Sequence, residues 1–135
     1  MTGVIDQRIL GKILYGFDSH YLNLIRLIDN DSLPSTILLS GKKGQGKFTL
    51  VHHILSYYFD KINYDIKSKK ITDKNILYQD IKKDFNANIF YFNCSNTNIK
   101  IDEIRKLKSD LQKSSINNLK RFIIFDDVEY LSDNC

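Results

Sequence analysis

The stretch Thr36-Ile37-Leu38-Leu39-Ser40-Gly41-Lys42-Lys43-Gly44-Gln45-Gly46-Lys47-Phe48-Thr49 joins a short apolar run to a glycine-rich turn, which closes on a lysine and opens an apolar helix pattern. Strand, loop and helix in that order make the G-x-x-x-x-G-K spacing informative, because the turn must wrap backbone N–H groups around an anion at a helix start. The segment reads as a phosphate-binding loop and commits the chain to an α/β plan. Gly41, Gly44 and Gly46 let the backbone curl, Gln45 lies among them, and Lys47 is placed to reach the terminal phosphates. The next position should carry a hydroxyl to ligate Mg²⁺, yet it is Phe48. A helix turns about 100° per residue, so the hydroxyl of Thr49 points elsewhere and does not stand in for it. Water filling that ligand position would leave nucleotide binding with a looser metal geometry.

The rest of the chain alternates helix and strand signals. Asp18 to Asn30 has Tyr21, Leu22, Ile25 and Ile28 at helical spacing, with Asp18 or Ser19 as cap and Leu33-Pro34 as the stop. Lys47 to Phe59 continues the loop as a helix whose apolar face is Leu50, Val51, Ile54, Leu55 and Tyr58. Asp60 to Asn75 is lysine-rich and weakly patterned, and reads as a mobile, solvated excursion. A short helix is expected from Asn75 to Phe85 on the stripe Ile76, Gln79-Asp80, Ile81 and Phe85. Ile89-Phe90-Tyr91-Phe92-Asn93 is a strand too apolar to be exposed on either side. Asp102 to Lys113 is a helix with its acidic residues in the first turn, and Phe122-Ile123-Ile124-Phe125 is a further strand expected to be fully buried. Apolar strands separated by helices imply a mainly parallel sheet covered by helices.

The last strand delivers Asp126 and Asp127 at its C-terminal end, where ligand crevices of α/β sheets open. Asp126 is the candidate carboxylate for Mg²⁺. Hydrolysing relatives of the loop usually carry glutamate at the following position, and Asp127 is one methylene shorter. A retreat of about 1 Å is enough to cost roughly 100-fold in rate. Glu129, two residues further on, is read as a surface residue, since nothing in its spacing directs it to the phosphates. No catalytic residue is assigned.

Composition sets the outer bounds. The 135 residues are 42% hydrophobic and 12% aromatic, enough for a core. A net charge of +4 permits a polyanionic partner without demanding one. Cys94 and Cys135 form no C-x-x-C pair and no disulfide framework, and the Met1 to Gly11 segment lacks the apolar core of a signal peptide. A cytoplasmic protein with no membrane contact is expected.

Taken together, these pieces resemble the AAA+ module of bacterial DNA polymerase III clamp loaders, most closely the delta-prime type, from about Leu14 to Ser132. The specific segments are Leu33-Pro34-Ser35-Thr36-Ile37-Leu38-Leu39-Ser40-Gly41, Ile99-Lys100-Ile101-Asp102-Glu103-Ile104-Arg105-Lys106-Leu107, and Phe122-Ile123-Ile124-Phe125-Asp126-Asp127-Val128-Glu129-Tyr130-Leu131. The resemblance implies a P-loop NTPase (AAA+) fold, a three-layer α/β/α domain with a parallel sheet. Residues 1–135 would be its N-terminal part, incomplete at the C-terminus, with the arginine finger, sensor residues and C-terminal domains beyond Cys135. A chain ending there would lack a central strand of its sheet, and loose packing is expected. Delta-prime subunits commonly lack the loop hydroxyl and carry Asp-Asp in the acidic motif, as Phe48 and Asp126-Asp127 do here.

The role implied is a mainly structural subunit of a hetero-pentameric ring that loads the sliding clamp on primed DNA. Its partners would be the other loader subunits, the clamp and primer-template DNA. Weak ATP binding at a degenerate site is expected, without Mg²⁺. Many relatives insert a cysteine-bound zinc module after the loop helix; residues 59–85 contain no cysteine, so no zinc is expected. The residue matching Arg105 faces DNA in related loaders, while pairing with neighbouring side chains is the alternative for it. Two other readings stay open: an active AAA+ ATPase of the motor-subunit type, and a small P-loop kinase. The latter ranks last because only Arg8, Arg26, Arg105 and Arg121 could serve as lid or acceptor arginines.

Overall fold

The computed structural model describes residues 11–40, 46–83, 88–93, 105–106 and 120–126. The chain forms two compact units, Asp6–Lys83 and a second made of Met1–Ile5 with Asp84–Cys135.

In the Asp6–Lys83 unit, α1 (Asp18–Asp29) buries Tyr21, Ile25 and Ile28 against α2 (Lys47–Phe59). Leu22 was expected on the same stripe but is exposed, because it sits one residue, or about 100°, from Tyr21. The N-cap is neither Asp18 nor Ser19. Phe17 occupies it in the left-handed region (φ 59°) without a side-chain cap, and Asp18 is the first helical residue, its carboxylate paired with Lys69. The helix also stops before Leu33-Pro34. Asp31 is left-handed (φ 51°), and the bonds Ser32 N–H to Leu27 O and Asp31 N–H to Ile28 O close a Schellman turn.

The central helix α2 has the expected limits but is buried almost all round. Leu50, Ile54 and Leu55 are joined inside by His52, His53, Ser56 and Tyr57, while Val51 and Tyr58 are half-buried. Tyr57 donates its phenol to Asp29 at the end of α1, 2.6 Å away.

Residues 60–75 are not a mobile excursion. They form an antiparallel hairpin of β1 (Tyr64–Asp65) and β2 (Lys70–Ile71), with Tyr64 opposite Ile71 and Asp65 opposite Lys70. Tyr64 and Ile71 point into the core, and Asp65 and Lys70 face water, the two-residue alternation of a half-buried strand. Lys67 and Lys70 supply the wet face, whereas the Lys69 side chain is largely covered and donates to the Gly16 carbonyl and Asp18. The segment around Ile13 lies along β2 through the bonds Leu14 N–H to Lys69 O (3.0 Å) and Ile71 N–H to Lys12 O (2.8 Å). Asn75 then caps α3 (Ile76–Lys82), which buries Leu77, Tyr78 and Ile81. Ile76, expected on the buried stripe, is exposed, and Phe85 lies outside the described residues.

Thr36–Ser40 belongs to neither sheet formed by the described residues, contrary to the expectation of a first strand. An apolar run becomes a strand only when a neighbour takes up its backbone groups, and Leu38 is 76% exposed. Leu33 and Leu39 do pack against the core.

In the second unit, β3 (Ile89–Asn93) and β4 (Phe122–Asp126) are parallel and in register from Ile89 opposite Phe122 to Asn93 opposite Asp126. Parallel pairing of these two runs is as expected. Successive residues Tyr91 and Phe92 are both buried, so β3 is covered on both faces. The fully buried reading of β4 is corrected: Ile123 and Phe125, on one face, are each more than a third exposed. Phe125 stacks on Phe92 with ring centroids 5.4 Å apart. Of the expected helix from Asp102 to Lys113, only Arg105 and Lys106 are described, and both are helical. The molecule is thus an α/β protein with a parallel strand pair.

Candidate functional site

The glycine loop meets its helix at Gly46, which adopts φ 87° and passes its carbonyl to Leu50 N–H at 3.0 Å. A left-handed residue followed directly by helical ones turns successive N–H groups toward a common side, as anion-binding turns do. The start of α2 is electrostatically open: it has no acidic residue in its first turn and begins with Lys47. Both features run against the helix dipole, and a bound anion would offset them. Lys47, Phe48 and Thr49 form this first turn and are half-buried. Gly41, Gly44 and Gln45 lie outside the described residues, as does Asp127.

Two neighbours of this turn had no signal in the sequence. The ring of Phe17 stands against Gly46, where an added Cβ would meet Phe17 Cε2 at 3.4 Å. Thr49 directs its methyl toward Gly11, 3.8 Å from where a Cβ there would be. Gly46→Ala therefore combines a left-handed alanine with contact on a ring. We expect a loss of about 1–2 kcal/mol, read as a lower urea midpoint; an unchanged midpoint would mean that the turn relaxes freely.

Asp126 ends β4 in the other unit, half-buried. Its Oδ2 accepts a hydrogen bond from the Tyr91 phenol at 2.9 Å. Tyr91 is opposite Ile124 and Asp126 is two residues further, so the pair shares one face of the ladder on a diagonal. Only the register brings them together, which is why spacing along the chain did not show it. Arg105 is exposed on its helical turn, with interactions to other groups of the protein.

The Mg²⁺ ion that such a loop implies finds a poor donor set. At the start of α2 the side chain of Phe48 carries no oxygen where the ion calls for a hydroxyl. These residues do not fit the ion, and no chemical step is drawn through it.

The described residues thus define an α/β protein in which α2 starts at a left-handed glycine and β4 ends on a carboxylate. The chain belongs to the DNA polymerase III delta subunit family, whose model matches residues 18–135. Comparisons with curated proteins and with solved structures returned no match. The family is clamp-loader-related, with a role in DNA replication alongside other polymerase III subunits. No helix among the described residues is long and apolar enough to cross a membrane.

Proposed function

We propose that this chain is a delta-prime-type clamp-loader subunit with an AAA+ fold, acting mainly as a structural member of the hetero-pentameric ring in the cytoplasm. The observation that carries the reading is Phe48 in the first turn of α2, inside a family match that spans residues 18–135. A glycine turn and Lys47 without a metal-binding hydroxyl suit weak, Mg²⁺-independent capture of ATP phosphates, through Gly41, Gly44, Gln45, Gly46, Lys47, Phe48 and Thr49. Asp127, short of the catalytic glutamate by one methylene, is the second loss in the same direction. The other subunits, the clamp and primer-template DNA are the partners, with Arg105 the candidate DNA contact.

ATP turnover by the complete protein tests this. We expect hydrolysis at background and a Mg²⁺ effect on ATP affinity below threefold. Turnover on the order of 1 s⁻¹ would instead mark a motor subunit. The double replacement Phe48→Thr with Asp127→Glu separates the cases further, since it raises turnover only where the rest of the site is intact. Recovery of the native protein with loader subunits supports the assembly role, and recovery with a metabolite substrate and no partner would end it.

A further inference from the structure

We infer that Tyr91 and Asp126 form a register lock for the parallel strand pair, so that Asp126 serves the fold rather than a metal ion. The proposal deepens, and rests on, the reading of a degraded nucleotide site. Both strands are apolar at adjacent positions, Ile89-Phe90-Tyr91-Phe92 against Phe122-Ile123-Ile124-Phe125. Strands that alternate apolar and polar residues resist slipping, because a one-residue shift turns the buried set outward. Here a shift exchanges one apolar residue for another, and the hydrophobic pattern specifies register weakly.

The Tyr91–Asp126 hydrogen bond supplies what the pattern lacks. Tyr91 is 7% exposed and its oxygen lies 2.9 Å from Asp126 Oδ2. Slipping either strand by one residue moves the two groups to opposite faces and breaks their hydrogen bond. A buried phenol aligned on a half-buried carboxylate in the native register is the kind of device that selects that register.

A double-mutant cycle in the complete chain tests the lock, using Tyr91→Phe, Asp126→Ala and both together, with urea unfolding and ATP binding with and without Mg²⁺ as readouts. Alanine is used because asparagine would keep an acceptor for the phenol. We expect each single variant to lower the folding constant by about tenfold, the double variant to be no worse than the worse single, and the effect of Mg²⁺ on ATP affinity to stay within twofold throughout. Additive losses would overturn the lock. So would an Asp126→Ala variant that keeps its stability and abolishes a Mg²⁺ enhancement present in the unsubstituted protein. A Mg²⁺ enhancement that survives Asp126→Ala would count against the degraded site and leave the lock standing. If Asp126→Ala does not fold, Tyr91→Phe decides by amide exchange in β3 and β4: protection falling about tenfold supports the lock, and unchanged protection overturns it.

Discussion

Replacing Asn75 with alanine is expected to remove about 2–4 kcal/mol of stability, a large part of what a domain of this size has. Asn75 is fully buried, and its Nδ2 donates toward the carbonyls of Ser56 (3.1 Å), Asp60 (3.3 Å) and Asn63 (3.3 Å). Its Oδ1 accepts Tyr78 N–H at 3.2 Å and so caps α3. One side chain thereby ties the end of α2, the entry to the hairpin and the start of the next helix. Losing a cap of this kind costs about 1 kcal/mol. The Ser56 carbonyl keeps Asp60 N–H and the Asn63 carbonyl keeps both Thr72 donors, so the Asp60 carbonyl is the one that loses its donor, which adds about 1–3 kcal/mol.

Asn75→Ser, which retains a capping oxygen, should recover about 1 kcal/mol of the loss. Asn75→Asp should not recover the carbonyl contacts, because a carboxylate brings no donor to them. Urea midpoints for the three variants check the ordering. A loss below 1 kcal/mol for the alanine variant would show that the network is dispensable.

The Asn75 network also explains which parts of the fold could be read in advance. The limits of α2 were legible because its apolar residues recur over thirteen positions. The β3 and β4 runs were legible because continuous apolar stretches of that length have few other places to go. The hairpin was not, since two-residue strands carry no periodicity and the lysines around them dominate the composition. Its order comes from distant partners, Lys12 and Leu14 along β2 and His53 beneath Tyr64.

Thr36–Ser40 failed in the opposite sense: its composition is that of a strand, yet its residues pair with no described strand. Of the candidate site, residue types and the glycine-to-helix turn were visible in the sequence. The neighbours that give the turn and the carboxylate their surroundings, Phe17 at Gly46 and Tyr91 at Asp126, were set by tertiary placement alone.

The second large effect is expected from acid. His52 and His53 lie side by side in the middle of α2, each at most 2% exposed. Burial, with the neighbouring His53, holds His52 down to about 3, and its Nε2 has no hydrogen-bond partner among the described residues. Burial likewise lowers His53, against an opposing contribution from its bond to Gly11 and helped by the charge of Lys69. The His53 ring is wedged between two acceptors or donors of fixed position, the Gly11 carbonyl at 2.8 Å from Nε2 and the Tyr64 hydroxyl at 2.9 Å from Nδ1. A neutral ring with its proton on Nε2 satisfies both, donating to the carbonyl and accepting from the phenol.

Both histidines are therefore neutral in the folded protein, while in the unfolded chain they take up protons below about pH 6.5. Their contribution is complete above that value and is lost as the pH falls toward the folded values. By pH 5 His52 alone should have given up about 2 kcal/mol relative to pH 8, with His53 acting in the same direction. Urea midpoints measured from pH 8 to pH 5, above the range where ordinary carboxylates titrate, should fall steadily below pH 6.5. His52→Gln should flatten that slope even if it lowers stability at pH 8. A midpoint constant from pH 7 to pH 5 would mean that the pair is charged in the folded state or open to water, and the packing of α2 would have to be redrawn.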